Sequence, residues 1–312
     1  MFYKISLISV IIFAIAVICA FLFYNRVSEA DFTTEIVDLS YFSRINDPIV
    51  FQSNKTGNFQ LYRIMPSGRD LTRITENEYS DEYPVYSPDK SMLAFHRIDL
   101  QQDTSNIMVL HLNSGKEINI TRGDNKYHDP AFLNNYSLAF DCERRWQIYM
   151  SDVKTHNIIQ LTEFSGRNIL PNFSPDEKYM AFTRSPVLGW NVYIMKMSDK
   201  SIEKLTDGFG ACRPHFHSDS RSLAYVSSEG DGKGEIWMID IEGKNKKRVT
   251  NYPETYDYYP SFSPDGKYIV FARVIDDKLH GNWDLWIITS DGRKAAQLTD
   301  WPSQEKFPCW SR

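Results

Sequence analysis

The stretch Pro260-Ser-Phe-Ser-Pro-Asp-Gly-Lys-Tyr-Ile-Val-Phe-Ala-Arg273, continued by Asp284-Leu-Trp-Ile-Ile-Thr-Ser-Asp-Gly-Arg293 and Gln297-Leu-Thr299, decides the fold. It opens on a proline and an aromatic residue, then turns at Ser263-Pro-Asp-Gly266, where proline pre-sets φ and glycine supplies the positive φ of a tight turn. An apolar run follows, then a second run ending in Ser-Asp-Gly, and finally Leu-Thr. Four short antiparallel strands account for this order of runs and turns.

The unit recurs along the chain. Its closing pair stands at Ile74-Thr75, Ile120-Thr121, Leu161-Thr162, Leu205-Thr206, Val249-Thr250 and Leu298-Thr299, at intervals of 41 to 49 residues. That period belongs to four-stranded propeller blades and not to helical or leucine-rich repeats. The opening strand recurs at Pro84, Pro130, Pro171, Pro214, Pro260 and Pro308, and the second strand at Ile49-Val-Phe51, Leu93-Ala-Phe95, Leu138-Ala-Phe140, Met180-Ala-Phe182, Leu223-Ala-Tyr225 and Ile269-Val-Phe271. Continuous apolar runs, rather than clean alternation, fit strands buried on both faces between neighbouring sheets. The first unit starts with its second strand, whereas the chain ends at Arg312 just after a sixth opening strand, Pro308-Cys-Trp-Ser311. The expected fold is therefore all-β: a six-bladed propeller over residues 48–312, closed by a C-terminal strand that completes the first blade and leaves no free sheet edge at the seam.

Residues 5–24 contain no charged side chain and have the length a helix needs to cross a bilayer. Residues 1–30 are read as an N-terminal transmembrane anchor or a signal peptide, with Ser28-Glu29-Ala30 in the form of a cleavage site. An anchored chain would carry its propeller on the extracytoplasmic, periplasmic side of the cell membrane; cleavage after Ala30 would secrete it. Residues 31–47 match no repeat and are treated as a spacer. A formal net charge of -5 excludes the basic stripe of a nucleic-acid-binding surface. Cys142, Cys212 and Cys309 lack C-x-x-C spacing, so no zinc site is expected.

In such blades the turns between strands one and two and between three and four share a face. They are short and polar here, a structural role explains them, and that face is expected to be plain. The opposite face collects the long connections and many Tyr and Trp residues, which is how a binding surface is built on a rigid scaffold. Candidate partner-binding residues on it are Arg97, His128, Asp129, Asp141, Arg184, Arg213, Tyr258 and Arg273. Charges converging on a funnel mouth would grip a carboxylate-bearing peptide or sugar through the planar arginine fork. Ion pairs within the scaffold are the plain alternative for each of them.

No G-x-S-x-G elbow and no H-E-x-x-H pattern occurs, so binding is expected rather than catalysis, with no cofactor. His215 and His217 share one side of an opening strand and are the weak candidates for a divalent metal. The units Phe262-Ser-Pro-Asp-Gly-Lys-Tyr-Ile-Val-Phe271, Asp284-Leu-Trp-Ile287 and Gln297-Leu-Thr-Asp300 closely resemble the repeat of the TolB-like propeller superfamily, over residues 48–312. The resemblance implies an exported six-bladed propeller that binds protein or peptide partners in the cell envelope. The namesake of the superfamily, from the Tol-Pal system, places an α/β domain before its propeller, while only 17 residues separate Ala30 from Pro48 here. The likeness is thus to the propeller and not to that whole protein, and its partners and contact residues do not transfer. The superfamily also includes oligogalacturonate lyases with a histidine-bound metal, which keeps open the alternative of a metal-dependent enzyme on acidic sugars.

Overall fold

The threonine that closes each repeat is there for its hydroxyl. In all six repeats its Oγ1 accepts the amide of the residue fourteen positions earlier in the third strand: Leu61 to Thr75, Ile107 to Thr121, Ile148 to Thr162, Val192 to Thr206 and Ile236 to Thr250 at 2.9 Å, and Leu285 to Thr299 at 2.8 Å. Each threonine is at most 4% exposed, so without the hydroxyl these amides would be buried and unpaired. The Ser-Pro-Asp turns use the same device. Ser87, Ser174 and Ser263 each accept, through Oγ, the amide five residues on at 3.0 Å and donate to the aspartate two residues on at 2.7 Å.

The computed structural model describes residues 33–310 except 124, 209, 231 and 276–280. It contains six antiparallel sheets, here blades one to six. From the axis outward, blade one is Glu305–Trp310, Ile49–Ser53, Gln60–Ile64 and Thr72–Arg73, and blade two is Ser80–Tyr86, Met92–Asp99, Thr104–His111 and Lys116–Asn119. Blade three is Tyr127–Asn134, Ser137–Cys142, Gln147–Asp152 and Ile158–Gln160, and blade four is Arg167–Phe173, Tyr179–Ser185, Asn191–Lys196 and Ile202–Lys204. Blade five is Cys212–Phe216, Ser222–Ser227, Glu235–Asp240 and Lys247–Arg248; blade six is Thr255–Phe262, Tyr268–Ile275, Asp284–Thr289 and Lys294–Gln297. The second-strand aromatics Phe51, Phe95, Phe140, Phe182, Tyr225 and Phe271 are all buried, as strands covered on both faces require. Cys142 and Cys212 are free thiols.

The ring closes as the repeat count requires: Ile49 pairs with Trp310 and Ser53 with Glu305. Trp310 is fully buried; its indole donates to the Asp47 carbonyl at 2.8 Å and its amide to Ser261 Oγ of blade six at 3.1 Å, so one residue ties both sides of the seam. The stretch read as a spacer docks on the propeller. Glu35–Ile36 adds as a parallel fifth strand to Lys294–Gln297, Asp38 caps the helical turn Leu39–Phe42, and Phe42 is buried edge-on against Tyr268 at 5.6 Å. Two residues of strand are too few to leave a periodic signal in sequence. The apolar segment 5–24 lies outside the described residues; among those described, no helix is long and apolar enough to cross a membrane.

Two measurements check this account. Deleting residues 307–312 removes Trp310 and most of the closing strand, and is expected to lower the thermal midpoint by roughly 10 °C or more. Thr162→Val, which buries an unpaired amide, should cost about 1–3 kcal/mol in denaturant unfolding, with Thr162→Ser close to the parent.

Candidate functional site

Each opening strand contains an X-Pro pair: Tyr83-Pro84, Asp129-Pro130, Leu170-Pro171, Arg213-Pro214, Tyr259-Pro260 and Phe307-Pro308. Proline has no N–H to give to a ladder and restricts the residue before it. The register accordingly jumps at this pair in all six sheets, leaving both residues without a partner on the second strand. The X residue adopts φ between 51 and 61° in every blade. A non-glycine residue there is held against a local cost of about 1–2 kcal/mol. This bulge re-aims side chains at a functional position on the innermost strand.

The re-aimed side chains meet over the axis. Tyr259 and Phe307 lie 3.9 Å apart between ring centroids, Tyr83 and Phe307 4.5 Å, and the Arg213 guanidinium sits 4.8 Å above Tyr259 and 5.2 Å above Tyr258. This collar, together with the ring of six prolines, lines an axial cavity of about 70 Å³. Arg213 donates to Cys212 Sγ at 3.2 Å, while its Nε has no partner and is buried. Asp129 and Asp141 stand on adjacent strands of blade three, and Asp141 accepts the Leu170 amide at 3.2 Å. Burial pushes both carboxyls up, Asp141 well above the usual range, with the neighbouring Asp129 charge adding to it. A buried carboxylate beside a like charge is disfavoured in its ionised form. Beside them Glu82 is raised by burial and Lys306 lowered by burial, and burial lowers His96 to about 3.

Of the eight candidate residues, Asp129, Asp141, Arg213, Tyr258 and His128 come together around this collar. His128 stands edge-on to His96 at 5.3 Å and 3.8 Å from Glu143. The other three do not reach it. Arg97 makes two bonds to Asp81, at 2.6 and 2.9 Å, and turns outward to Glu117 at 2.6 Å. Arg273 grips Asp257 at 2.6 and 2.8 Å, sealed by Tyr252 and Trp286. Arg184 faces Asn168 in place of an acid and stacks on Phe164 and Tyr193. They are scaffold groups inside their own blades, because the second strand's partner at that register is an opening-strand acid or amide.

The histidines of blade five are likewise engaged. His215 accepts the Phe262 amide at Nδ1, 3.3 Å, and contacts Ser261 Oγ through Nε2, 3.3 Å; His217 bonds to the Gly266 carbonyl at 3.1 Å and accepts the Asp219 amide at 3.1 Å. His217 takes the place that serine holds in the Ser-Pro-Asp turns, its amide bonding to the Ser222 carbonyl as Ser87 does to Met92. Holding a metal between them would require breaking these bonds to blade six.

Two features escaped the sequence reading. The Tyr and Trp residues of the long-loop face are half-buried or buried, among those described. The exposed apolar side chains there are aliphatic: Leu100 at 68%, Val187 at 86% and Leu188 at 79% in the loops between strands two and three of blades two and four, and Ile275 at 70% at the end of the second strand of blade six. The face expected to be plain holds a cavity of about 320 Å³, lined by Pro88, Pro175 and Pro264 of the three Ser-Pro-Asp turns with Leu133, Phe216 and Phe262.

Residues 138–280 match the family described as TolB beta propeller domain, PD40. A protein TolB homolog of Chlorobium chlorochromatii is 32% identical over 136 residues, which is 43% of this chain and 30% of that protein. A Tol-Pal system protein TolB of Francisella tularensis subsp. mediasiatica is 28% identical over 129 residues, 40% of this chain and 29% of that one. The chain thus matches about three tenths of the length of these curated relatives. The crystal structure of TolB from Acinetobacter baumannii superposes with a TM-score of 0.75 at 22% identity, covering 88% of this chain and 67% of that one. Closed blades and axial collar define a six-bladed β-propeller. The chain is a six-bladed propeller similar to that of TolB, matched to TolB in part and not along its whole length.

A carboxyl raised in the folded state makes the native protein bind more protons than the unfolded chain, so stability falls as pH rises above the ordinary aspartate range, about 4. Asp141→Asn should flatten that fall between about pH 4 and pH 7 and leave the protein at least as stable as the parent at pH 7, measured by urea unfolding across the range.

Proposed function

We propose that the protein is a non-enzymatic scaffold of the cell envelope that binds a protein or peptide on its long-loop face. The observation that carries this reading is the set of exposed aliphatic side chains, Leu100, Val187, Leu188 and Ile275, on three alternate blades. Exposed apolar groups on a rigid rim around a polar collar mark a surface that another protein covers. Arg213 supplies the collar with a cation and an unpartnered donor, suited to a carboxylate on the partner. The Tol-Pal names of the relatives support an envelope setting, with the apolar segment 5–24 as membrane anchor or export signal and the propeller extracytoplasmic.

The test is cross-linking in intact cells followed by capture. Val187→Glu with Leu188→Glu, and separately Ile275→Glu, should lose the partners captured by the parent while keeping its thermal midpoint. Capture of the same partners by the parent and both variants would remove this face from consideration. A stoichiometric divalent ion in purified protein, lost with His215→Ala and His217→Ala together, would instead favour the metal-dependent enzyme on acidic sugars.

A further inference from the structure

The outermost strand of a blade is an open edge, and proteins commonly guard such edges with charge or cover them. Five blades follow this rule. The outer strands Thr72–Arg73, Lys116–Asn119, Ile202–Lys204 and Lys247–Arg248 each carry arginine or lysine, and the edge of blade six is covered by Glu35–Ile36. Blade three departs from it. Its outer strand Ile158–Gln160 has no charged residue, and Ile158 and Ile159, which point to opposite sides of the sheet, are 41% and 54% exposed.

Immediately before this strand the hairpin carrying Lys154 borders a groove between blades two and three of about 660 Å³. Lys116, Arg122 and Lys154 line it, and none has an ion-pair partner among the described residues, in a chain of net charge -5. Of the groove's own carboxylates Glu117 is held by Arg97, while Asp89 accepts from Ser87 and Ser91 and keeps its charge. An unguarded apolar edge therefore stands beside three cations that make no ion pair among the described residues. The chain also shows what fits such an edge, because blade six is covered by an acidic and an apolar residue in sequence, with Glu35 3.4 Å from Lys294.

We propose that the outer edge of blade three receives an extended acidic segment of another protein, added as a fifth strand, with its carboxylates on Lys116, Arg122 and Lys154. Main-chain hydrogen bonds to the edge supply affinity, and charge selects the partner. This surface is distinct from the long-loop face and does not depend on the reading given for that face.

The probe is a short fluorescein-labelled peptide alternating glutamate and valine, followed by fluorescence anisotropy with the full chain. Binding is expected for this peptide and not for its lysine–valine counterpart. Ile159→Lys, and Arg122→Glu with Lys154→Glu, should each weaken it about ten-fold or more, with circular dichroism and thermal midpoint unchanged. N-methylation of alternate peptide amides should abolish binding. The proposal is overturned if the glutamate–valine peptide does not bind, or if the N-methylated peptide binds as well as the parent peptide. It is equally overturned if inorganic polyphosphate displaces the peptide while Ile159→Lys binds normally, which would make the groove a simple anion site. Self-association of the parent without peptide, lost in Ile159→Lys on sedimentation, would assign the edge to a second copy of this chain instead.

Discussion

A proline in the innermost strand cannot donate to the ladder, and six prolines at one level of six strands force six bulges around one axis. Everything at the centre of the molecule follows from that constraint. The bulge takes the residue before each proline out of the ladder and into positive φ, which turns its side chain from blade packing to the axis. Close packing of Tyr83, Tyr259 and Phe307 is the result, and it leaves only a small cavity among the prolines. The unfavourable backbone is offset because neighbouring blades fix it on both sides: Asp141 receives the amide of Leu170, Thr183 Oγ1 that of Arg213 at 3.0 Å, and Gln52 Oε1 that of Tyr83 at 3.0 Å. In each case a second-strand side chain of one blade holds the bulge of the next, so ring closure and collar geometry are one structural fact.

The six blades are not six equal copies. Blades two, four and six carry the Ser-Pro-Asp turn, the arginine two residues beyond the second-strand aromatic, and the exposed aliphatic side chains. In blades two and six the arginine fixes the end of the second strand to an opening-strand aspartate, which gives the loop beyond it a defined origin. Exposed apolar side chains on alternate blades then surround the collar from three sides, and on the opposite face the three turn prolines line the larger cavity.

The propeller was legible because its signals are local and repeated: a turn with its own chemistry, an aromatic at one strand position, and Leu-Thr with a hydroxyl that must be present. The site was legible only in part. Asp129, Asp141 and Arg213 do stand around the collar, but Arg97 and Arg273 gave the same signal of charge at the funnel mouth while their acids, Asp81 and Asp257, lie sixteen residues earlier in sequence and directly opposite in space. Exposure of Val187 and Leu188 depends on what does not cover them, which no local pattern records. The docking of Phe42 escaped for the converse reason, since a single aromatic finds its pocket through tertiary structure alone.

That division has a chemical consequence for the collar. In each X-Pro pair the proline is dictated by the bulge, whereas the residue before it makes no ladder bond to the second strand and is constrained only by its backbone angle. Aspartate tolerates that angle better than most residues, while tyrosine, phenylalanine, leucine and arginine hold it against a cost. Placing Arg213 and Asp129 there sets a cation and a buried carboxyl beside three closely packed rings in a shielded volume, where each charge is stronger than at the blade surface. Changing the identity of these six side chains would alter what the funnel recognises while leaving the blades intact, so the collar is where the scaffold's chemistry can be specified without disturbing its fold.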